Sequence, residues 1–91
     1  MEIIQKNNGN RGTFETLDRG KVIAEMTYVW TGNDSFIIDH TGVDPSYRGQ
    51  HIGNEMVKHA VDYARENSVK ILPMCPFARS VFDKNPSYSD V

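Results

Sequence analysis

The sequence predicts an α+β fold: an antiparallel meander of about four strands, then one long helix, a further strand pairing in parallel, and a short C-terminal helix. Two observations lead to this fold class. Short alternating segments separated by turn-forming residues occupy the first 43 positions, which is typical of antiparallel strands. Beyond position 51 the apolar residues recur at helical spacing, which indicates a change from sheet to helix.

Four strands are expected in the first half of the chain, at residues 2–6, 11–17, 21–30 and 35–43. The second and third are joined by Asp18-Arg19-Gly20, a short run of residues suited to a hairpin turn. The third strand has the clearest alternation, and its period of two places one set of side chains on a common face. That set is Val22, Ala24, Met26, Tyr28 and Trp30.

The long helix is expected from Gly49 or Gln50 to Glu66, because an apolar stripe at helical spacing runs through this segment. Asn67 suits the left-handed residue that ends many helices. A short strand at 69–72 should follow, and the right-handed crossover rule places it parallel to the strand that ends at Val43. A second, shorter helix is expected at 77–83.

Composition narrows the class of protein. A chain of 91 residues is the size of one domain, so residues 1–91 are expected to share one core. A net charge of −2 without a basic stripe argues against a nucleic-acid partner. With no apolar run near the ~20 residues of a membrane span and no signal-peptide pattern, a cytoplasmic protein that engages no membrane is expected. No metal site is indicated by the spacing of the histidines and the lone Cys75.

The segment between the fourth strand and the long helix carries the chemistry. It contains Arg48, Gly49 and Gly53 and leads directly into the helix. Free backbone N–H groups at a helix N-terminus attract phosphate, and glycine allows the close approach. A purely structural explanation stays open, with Gly49 as a turn residue and Gly53 as a helix-packing residue.

The order of elements and the run from Arg48 to Gly53 resemble the GNAT superfamily of acetyltransferases, whose phosphate loop reads Arg or Gln, any, any, Gly, any, Gly or Ala. Arg48 and Gly53 match this pattern, whereas His51 replaces the first glycine. The resemblance covers roughly residues 11–88 and extends to a group of small, trimmed members of the superfamily. The segments that carry it are 38–41, 62–65 and 73–77.

The resemblance implies that the chain binds acetyl-coenzyme A or coenzyme A as a cosubstrate. The pantetheine arm should follow Thr41, Gly42 and Val43, and the acceptor should be an unidentified amine of a small molecule or a protein. Larger members carry a tyrosine that protonates the leaving thiolate, and this position is Phe82 here. The phosphates should contact the turn residues Arg48, Gly49, Gln50, His51, Ile52, Gly53 and Asn54.

Two residues are candidates for the chemistry itself. Cys75 follows the strand expected beside the pantetheine arm, so its thiol could accept the acetyl group or protonate the coenzyme thiolate; a lone buried cysteine that only packs is the alternative. His40 could accept a proton from the amine near neutral pH, or be a core histidine. Alternation places His40 on the same strand face as Phe36 and Ile38.

Three functions stay open at this point. The first is acetyl transfer from acetyl-coenzyme A to an amine, by a monomer or weak homodimer. The second is a non-catalytic module that binds coenzyme A or acetyl-coenzyme A, which the phenylalanine at position 82 favours. The third is an interaction protein that keeps the fold without the cofactor, because fold alone does not determine function.

Overall fold

The computed structural model describes residues 1–91, and it confirms the expected α+β fold class. Five strands form one sheet in the order in which they occur along the chain. Two short 3₁₀ turns, at Pro45–Tyr47 and Pro86–Asp90, complete the structure. The longer elements are β1 (Glu2–Asn8), β2 (Arg11–Asp18), β3 (Lys21–Trp30), β4 (Ser35–Val43), α1 (Ile52–Asn67), β5 (Lys70–Pro73) and α2 (Pro76–Lys84).

The sheet is mixed. Strands β1 to β4 pair antiparallel, and β5 pairs parallel to β4 after the crossover through α1. The β2–β3 connection has both central residues in the left-handed region, Arg19 at φ 54° and Gly20 at φ 79°. This conformation belongs to the type I′ turn, whose twist matches that of the two strands it joins.

Helix α1 covers one face of the sheet and closes a single core. Its buried side chains include Met56, Val57 and Val61, and they lie in the same buried cluster as Phe14 and Phe36. Burial of the apolar stripe of α1 therefore holds the helix on the sheet, at about 25 cal/mol per Å² of apolar area. No helix is both long enough and apolar enough to cross a bilayer.

One buried polar side chain orders the sheet beneath α1. Tyr28 is fully buried, and its hydroxyl donates to Asn7 Oδ1 and accepts from Gln5 Nε2 at 2.8 Å. Burial raises the pKa of this phenol. A Cβ on Gly12 would overlap the Tyr28 ring, so the glycine makes room for it.

Two sequence expectations about these elements are wrong. Val22 is 44% exposed, because the β2–β3 register shifts at Thr16/Leu17 and leaves both Ile23 and Ala24 buried. The left-handed residue after α1 is Ser68, at φ 56°, and not Asn67. Asn67 remains helical, and its side-chain amide donates to Tyr63 O at 2.8 Å.

The C-terminal residues are held to α1 by an ion pair. Arg65 Nε donates to Asp90 Oδ2 at 2.9 Å, and Arg65 Nη2 donates to Asp90 Oδ1 at 3.0 Å and to Ser87 O at 2.7 Å. The hydrogen bonds from Arg65 lower the pKa of the Asp90 carboxyl. Lys70 Nζ, at the start of β5, also donates to Asp90 O. The segment after α2 is therefore bonded to both α1 and β5.

Candidate functional site

Strands β4 and β5 separate near the middle of β4. Their parallel pairing ends at Ile38 and Pro73. The N–H groups of Met74 and Cys75 then both donate to Ile38 O at 3.1 Å, which turns the chain away into α2. Strand β4 continues to Val43 with no β5 partner, so the two strands diverge beyond Ile38 and leave a gap in the pairing of the sheet.

A β-bulge lies at the start of this gap. Tyr28 pairs with Ile38, and Thr27 pairs with His40, so Asp39 has no partner residue in β3. The Asp39 carboxylate accepts from Thr27 Oγ1 at 2.6 Å and lies 3.4 Å from Arg11 Nη2. The bulge rotates the rest of β4 relative to its first half.

His40 does not share the face of Phe36 and Ile38, so that expectation is wrong. Phe36 and Ile38 are fully buried under α1, whereas His40 is exposed and paired beside Thr27. The extra residue at Asp39 shifts the alternation by one position. His40 consequently lies on the uncovered face of the sheet, with its Nε2 close to Gly42.

Cys75 lies on the other side of the gap, towards α1. It is 7% exposed and forms the N-cap of α2, where its sulfur accepts from Ala78 N at 3.4 Å. The same sulfur lies 3.4 Å from Thr41 Oγ1. The predicted candidates Cys75 and His40 therefore border the same gap from opposite faces of the sheet.

The turn after β4 is tied down at two points. Asp44 N donates to Ile23 O at 2.8 Å, and Tyr47 Oη donates to Asp18 Oδ2 at 2.7 Å. The hydrogen bond to Asp18 raises the pKa of the Tyr47 phenol. Asp44 also caps the 3₁₀ turn by accepting from Ser46 Oγ and Ser46 N, and these bonds lower the pKa of its carboxyl.

The N-terminus of α1 presents free backbone donors. The consecutive N–H groups from Gly49 to Asn54 donate to no backbone acceptor and to no side chain. His51, which occupies the family's first glycine position, has φ 58° and forms the N-cap without a side-chain cap bond. Histidine here adopts the left-handed conformation that glycine adopts without strain, so the loop shape survives the substitution.

A hollow of about 270 Å³ lies beside these donors. It gathers the predicted residues Val43, Arg48, Gly49, His51, Ile52, Gly53 and Asn54, together with Tyr47 and Phe77. A Cβ on Gly53 would lie 2.5 Å from Phe77 Cζ, so Gly53 also has the packing role left open above. Thr41 and Gly42 lie further back along β4.

Three residues complete the comparison with the sequence. Gln50 lines a different hollow, between the N-terminal half of α1 and strands β1 and β2. The sequence did not identify Tyr47 and Phe77 as lining residues of the first hollow. Each lies one or two residues after a proline and next to a predicted site segment, but nothing in their spacing along the sequence reveals that they meet. No three His, Cys, Asp or Glu side chains are grouped to hold a metal ion.

Phe82 has an aromatic partner and no polar one. Its ring centroid lies 5.7 Å from that of Tyr88 in an edge-to-face arrangement, and the residue is half-buried in α2. A phenyl ring cannot donate a proton. Phe82 therefore cannot act as a general acid.

Comparisons with known proteins define the class. The family model described as GCN5-related N-acetyl-transferase matches residues 13–91, and the chain belongs to this family. A solution structure of a GCN5-like proposed N-acetyltransferase from Staphylococcus aureus is 39% identical, with a TM-score of 0.72, and the match covers 99% of this chain and 85% of that one.

Two more distant proteins extend the comparison. Protein NATD1 of Danio rerio is 29% identical over 63 residues, 69% of this chain and 57% of that protein; the chain thus spans little more than half the length of this curated relative. A proposed acetyltransferase from Clostridium acetobutylicum, solved with acetyl-coenzyme A, is 19% identical with a TM-score of 0.66. The match covers 82% of this chain and 56% of the Clostridium protein. At this identity the likeness shows the fold.

Proposed function

We propose that the chain binds acetyl-coenzyme A and transfers its acetyl group to an amine of a small molecule or a protein. The observation that carries the proposal is the run of unpaired N–H groups from Gly49 to Asn54, next to the gap between β4 and β5. Backbone donors at a helix N-terminus suit a pyrophosphate. A gap between parallel strands suits an extended arm.

The residues of the turn would hold the phosphates. Arg48 is exposed and forms no ion pair within the chain, so its guanidinium is free to bind a phosphate oxygen bidentately. The hollow beside the turn is lined by Val43, the last residue of β4, and by Phe77 of α2. The backbone of Thr41 to Val43 would then guide the pantetheine arm, since this part of β4 has no β5 partner.

The gap suits direct attack on a thioester. An amine nitrogen that forms a bond to the carbonyl carbon must lose a proton, and the sulfur of the departing coenzyme must gain one when the C–S bond breaks. A backbone N–H near the bulge at Asp39 can polarise the carbonyl. Positioning of the amine against the carbonyl supplies much of the rate in such reactions.

The two candidate side chains would divide the proton transfers. His40 borders the gap on the uncovered face, where an amine can enter and give up its proton. Cys75 borders it on the α1 side, where its S–H can protonate the leaving thiolate. Alternatively the Cys75 sulfur takes the acetyl group first and passes it to the amine in a second step.

A non-catalytic module that binds coenzyme A is the second candidate function. Phe82 at the usual tyrosine position favours it, because its ring packs against Tyr88 and has no proton to give. Both functions use the same turn. We further propose that residues 1–91 act as one acetyl-coenzyme A-binding domain, a cytoplasmic monomer or weak homodimer, with the continuous core supporting the single domain.

Calorimetric titration with acetyl-coenzyme A and coenzyme A tests the proposal. Arg48→Ala should weaken binding at least about tenfold, because a charge-assisted hydrogen bond contributes roughly 1.5–3 kcal/mol and each 1.4 kcal/mol is a factor of ten. Lys58→Ala, which removes an exposed cation in the middle of α1, should leave binding unchanged. Absence of binding by the folded wild-type chain would refute both cofactor-dependent functions.

Turnover then separates the enzyme from the module. The chain is incubated with acetyl-coenzyme A and a panel of amines and amino-terminal peptides, and free coenzyme thiol is measured over time. Amine-dependent release above the rate of hydrolysis supports acetyl transfer. Cofactor binding without such release for any amine of the panel supports the binding module.

A further inference from the structure

The sheet has one regular free edge. Strand β1 pairs only with β2, along all seven of its residues and without a register shift. It contains no proline, and no backbone group outside β2 bonds to it. The opposite edge, β5, has four residues and ends in Pro73, and both a short strand and a proline block the addition of another strand. Strand β1 is therefore the edge at which a further strand can pair.

The backbone groups of β1 point alternately towards β2 and towards solvent. The loop between the two strands has two residues, so the flanking pair Asn8 and Arg11 is hydrogen-bonded. Hydrogen-bonded and non-hydrogen-bonded pairs alternate along an antiparallel ladder. The even-numbered residues of β1 therefore bond to β2, whereas Ile3, Gln5 and Asn7 direct their N–H and C=O groups outwards. An added strand must bond to these odd-numbered residues.

The even-numbered side chains of β1 lie on the face that α1 leaves uncovered. Ile4 is paired with Glu15, whose neighbour Phe14 is buried on the α1 face, and directly opposed residues share a face. The row reads acid, apolar, base: Glu2, Ile4 and Lys6. Glu2 is exposed and forms no ion pair within the chain. The Lys6 side chain is 62% exposed although its Nζ lies 3.0 Å from Glu15 Oε1. This row is complementary to its own reverse.

We propose that β1 pairs antiparallel with β1 of a second copy of this chain, about a twofold axis at Ile4. In this register Glu2 of each copy is opposite Lys6 of the other, and the two Ile4 side chains meet. Ile3 of each copy is opposite Gln5 of the other, so their outward backbone groups bond to one another. Registers shifted by two residues keep such bonds but place Ile4 opposite a charged side chain. The charge pattern therefore selects one register.

The pairing would join the two sheets into one continuous sheet. The proposal identifies the interface of the homodimer left open under the proposed function, and it requires neither coenzyme A nor acetyl transfer. Strand β1 is separated from the gap between β4 and β5 by β2 and β3, and it does not line the hollow beside the phosphate turn. Seven residues per chain are fewer than the roughly 20–30 residues a side of a stable interface, so the dimer should be weak.

Charge reversal at positions 2 and 6 tests the register. Sedimentation equilibrium without cofactor, at low ionic strength where exposed charges are least screened, measures dimerisation from micromolar to millimolar concentration. Glu2→Lys and Lys6→Glu should each weaken the dimer about tenfold or more, because each reversal brings like charges together at two symmetry-related positions. Lys84→Glu, at the exposed end of α2, should leave the dimerisation constant unchanged. Circular dichroism checks that each variant is folded.

A mixture of the two reversed chains gives the sharpest test. In a dimer of one Glu2→Lys chain with one Lys6→Glu chain, both cross-strand pairs again join opposite charges, so the affinity should return close to that of the wild type. Such rescue cannot arise within one chain, because positions 2 and 6 of a strand are about 13 Å apart. Hydrogen exchange at the Ile3 and Gln5 amides should slow as the wild type dimerises.

Four results would each overturn the proposal. They are a wild type that stays monomeric at millimolar concentration, single variants that dimerise as the wild type does, a mixture that associates no more strongly than its components, and exchange at Ile3 and Gln5 that is independent of concentration.

Discussion

The hydroxyl of Thr41 lies 3.4 Å from the sulfur of Cys75, across the gap that opens where β4 and β5 separate. The sulfur also accepts from the N–H of Ala78 at the start of α2. Cys75 is thus both a helix cap and a wall of the proposed acetyl site. The two roles make different demands on the side chain, and substitution can separate them.

Replacement of Cys75 should distinguish capping from chemistry. Serine caps helices well, so Cys75→Ser should retain the stability of the chain, whereas Cys75→Ala should lose about 0.5–1 kcal/mol with the cap. If the thiol acts in acetyl transfer, both variants should keep cofactor affinity and react at least tenfold more slowly. Thermal unfolding, calorimetry and turnover measure the three quantities. A serine variant with wild-type turnover would remove Cys75 from the chemistry.

The contact between Gly53 and Phe77 gives a second prediction. A Cβ at position 53 would lie 2.5 Å from Phe77 Cζ, so Gly53→Ala must displace the ring; because Phe77 is 40% exposed, the ring can move towards solvent and the loss of stability should be at most about 1 kcal/mol. In a Phe77→Ala background the same change should raise stability by up to about 1 kcal/mol, because alanine is the better helix former. Denaturant unfolding of the wild type, the two single variants and the double variant gives the coupling energy between positions 53 and 77. Equal effects in both backgrounds would contradict the contact.

His51 should tolerate replacement by glycine. Its φ of 58° costs a non-glycine residue about 1–2 kcal/mol, part of which is offset by the greater chain entropy of glycine when unfolded. His51→Gly should therefore raise the free energy of unfolding slightly, by up to about 1 kcal/mol, and keep cofactor affinity. His51→Ala retains the strain and is the control. Loss of cofactor binding in both His51→Gly and His51→Ala would show that the imidazole itself contacts the phosphates.

The ion pair between Arg65 and Asp90 predicts a pH dependence of stability. Arg65 holds the pKa of Asp90 below its usual value, so the folded chain keeps this carboxylate ionised more easily than the unfolded chain does. The resulting stability is present above about pH 4, the ordinary pKa of aspartate, and is lost as the pH falls through the lower folded-state pKa.

Asp90→Asn should accordingly flatten the acid limb of the stability curve. The variant should be less stable than the wild type at pH 6, and the difference should shrink below pH 4. Asp83→Asn, an exposed carboxyl of α2 without an ion pair, serves as the control. Melting temperatures measured from pH 3 to pH 7 check this, and a difference that stays constant with pH would count against the ion pair.

The order and type of the elements followed from local patterns. Strands β3 and β4 have the expected bounds, and α1 was placed within three residues at its start, because alternation, helical spacing and glycine-containing turns are properties of neighbouring residues. The parallel pairing of β5 followed from the handedness of crossover connections. The motif from Arg48 to Gly53 located the turn that now lies at the free N-terminus of α1.

The errors at Val22 and His40 have a common physical origin in the sheet. A bulge depends on how two strands pair, and no local pattern marks the extra residues at Ile23 and Asp39. The face of His40 was therefore wrong, although its place in the chain was right. At the end of α1, Asn67 stays helical with its side-chain amide donating to Tyr63 O, and Ser68 is the left-handed residue.

The sequence by itself determined the fold class, the family resemblance and the segment in which the phosphate turn is proposed. Tertiary structure alone decided that Cys75 meets Thr41, that Phe77 covers Gly53, and that the hydroxyl of Thr16 is buried without a partner. The physical reason is the separation along the chain of the residues that interact. Backbone conformation and amphipathic spacing are set by residues close in sequence, whereas these contacts join residues that the packing of α1 and α2 on the sheet brings together.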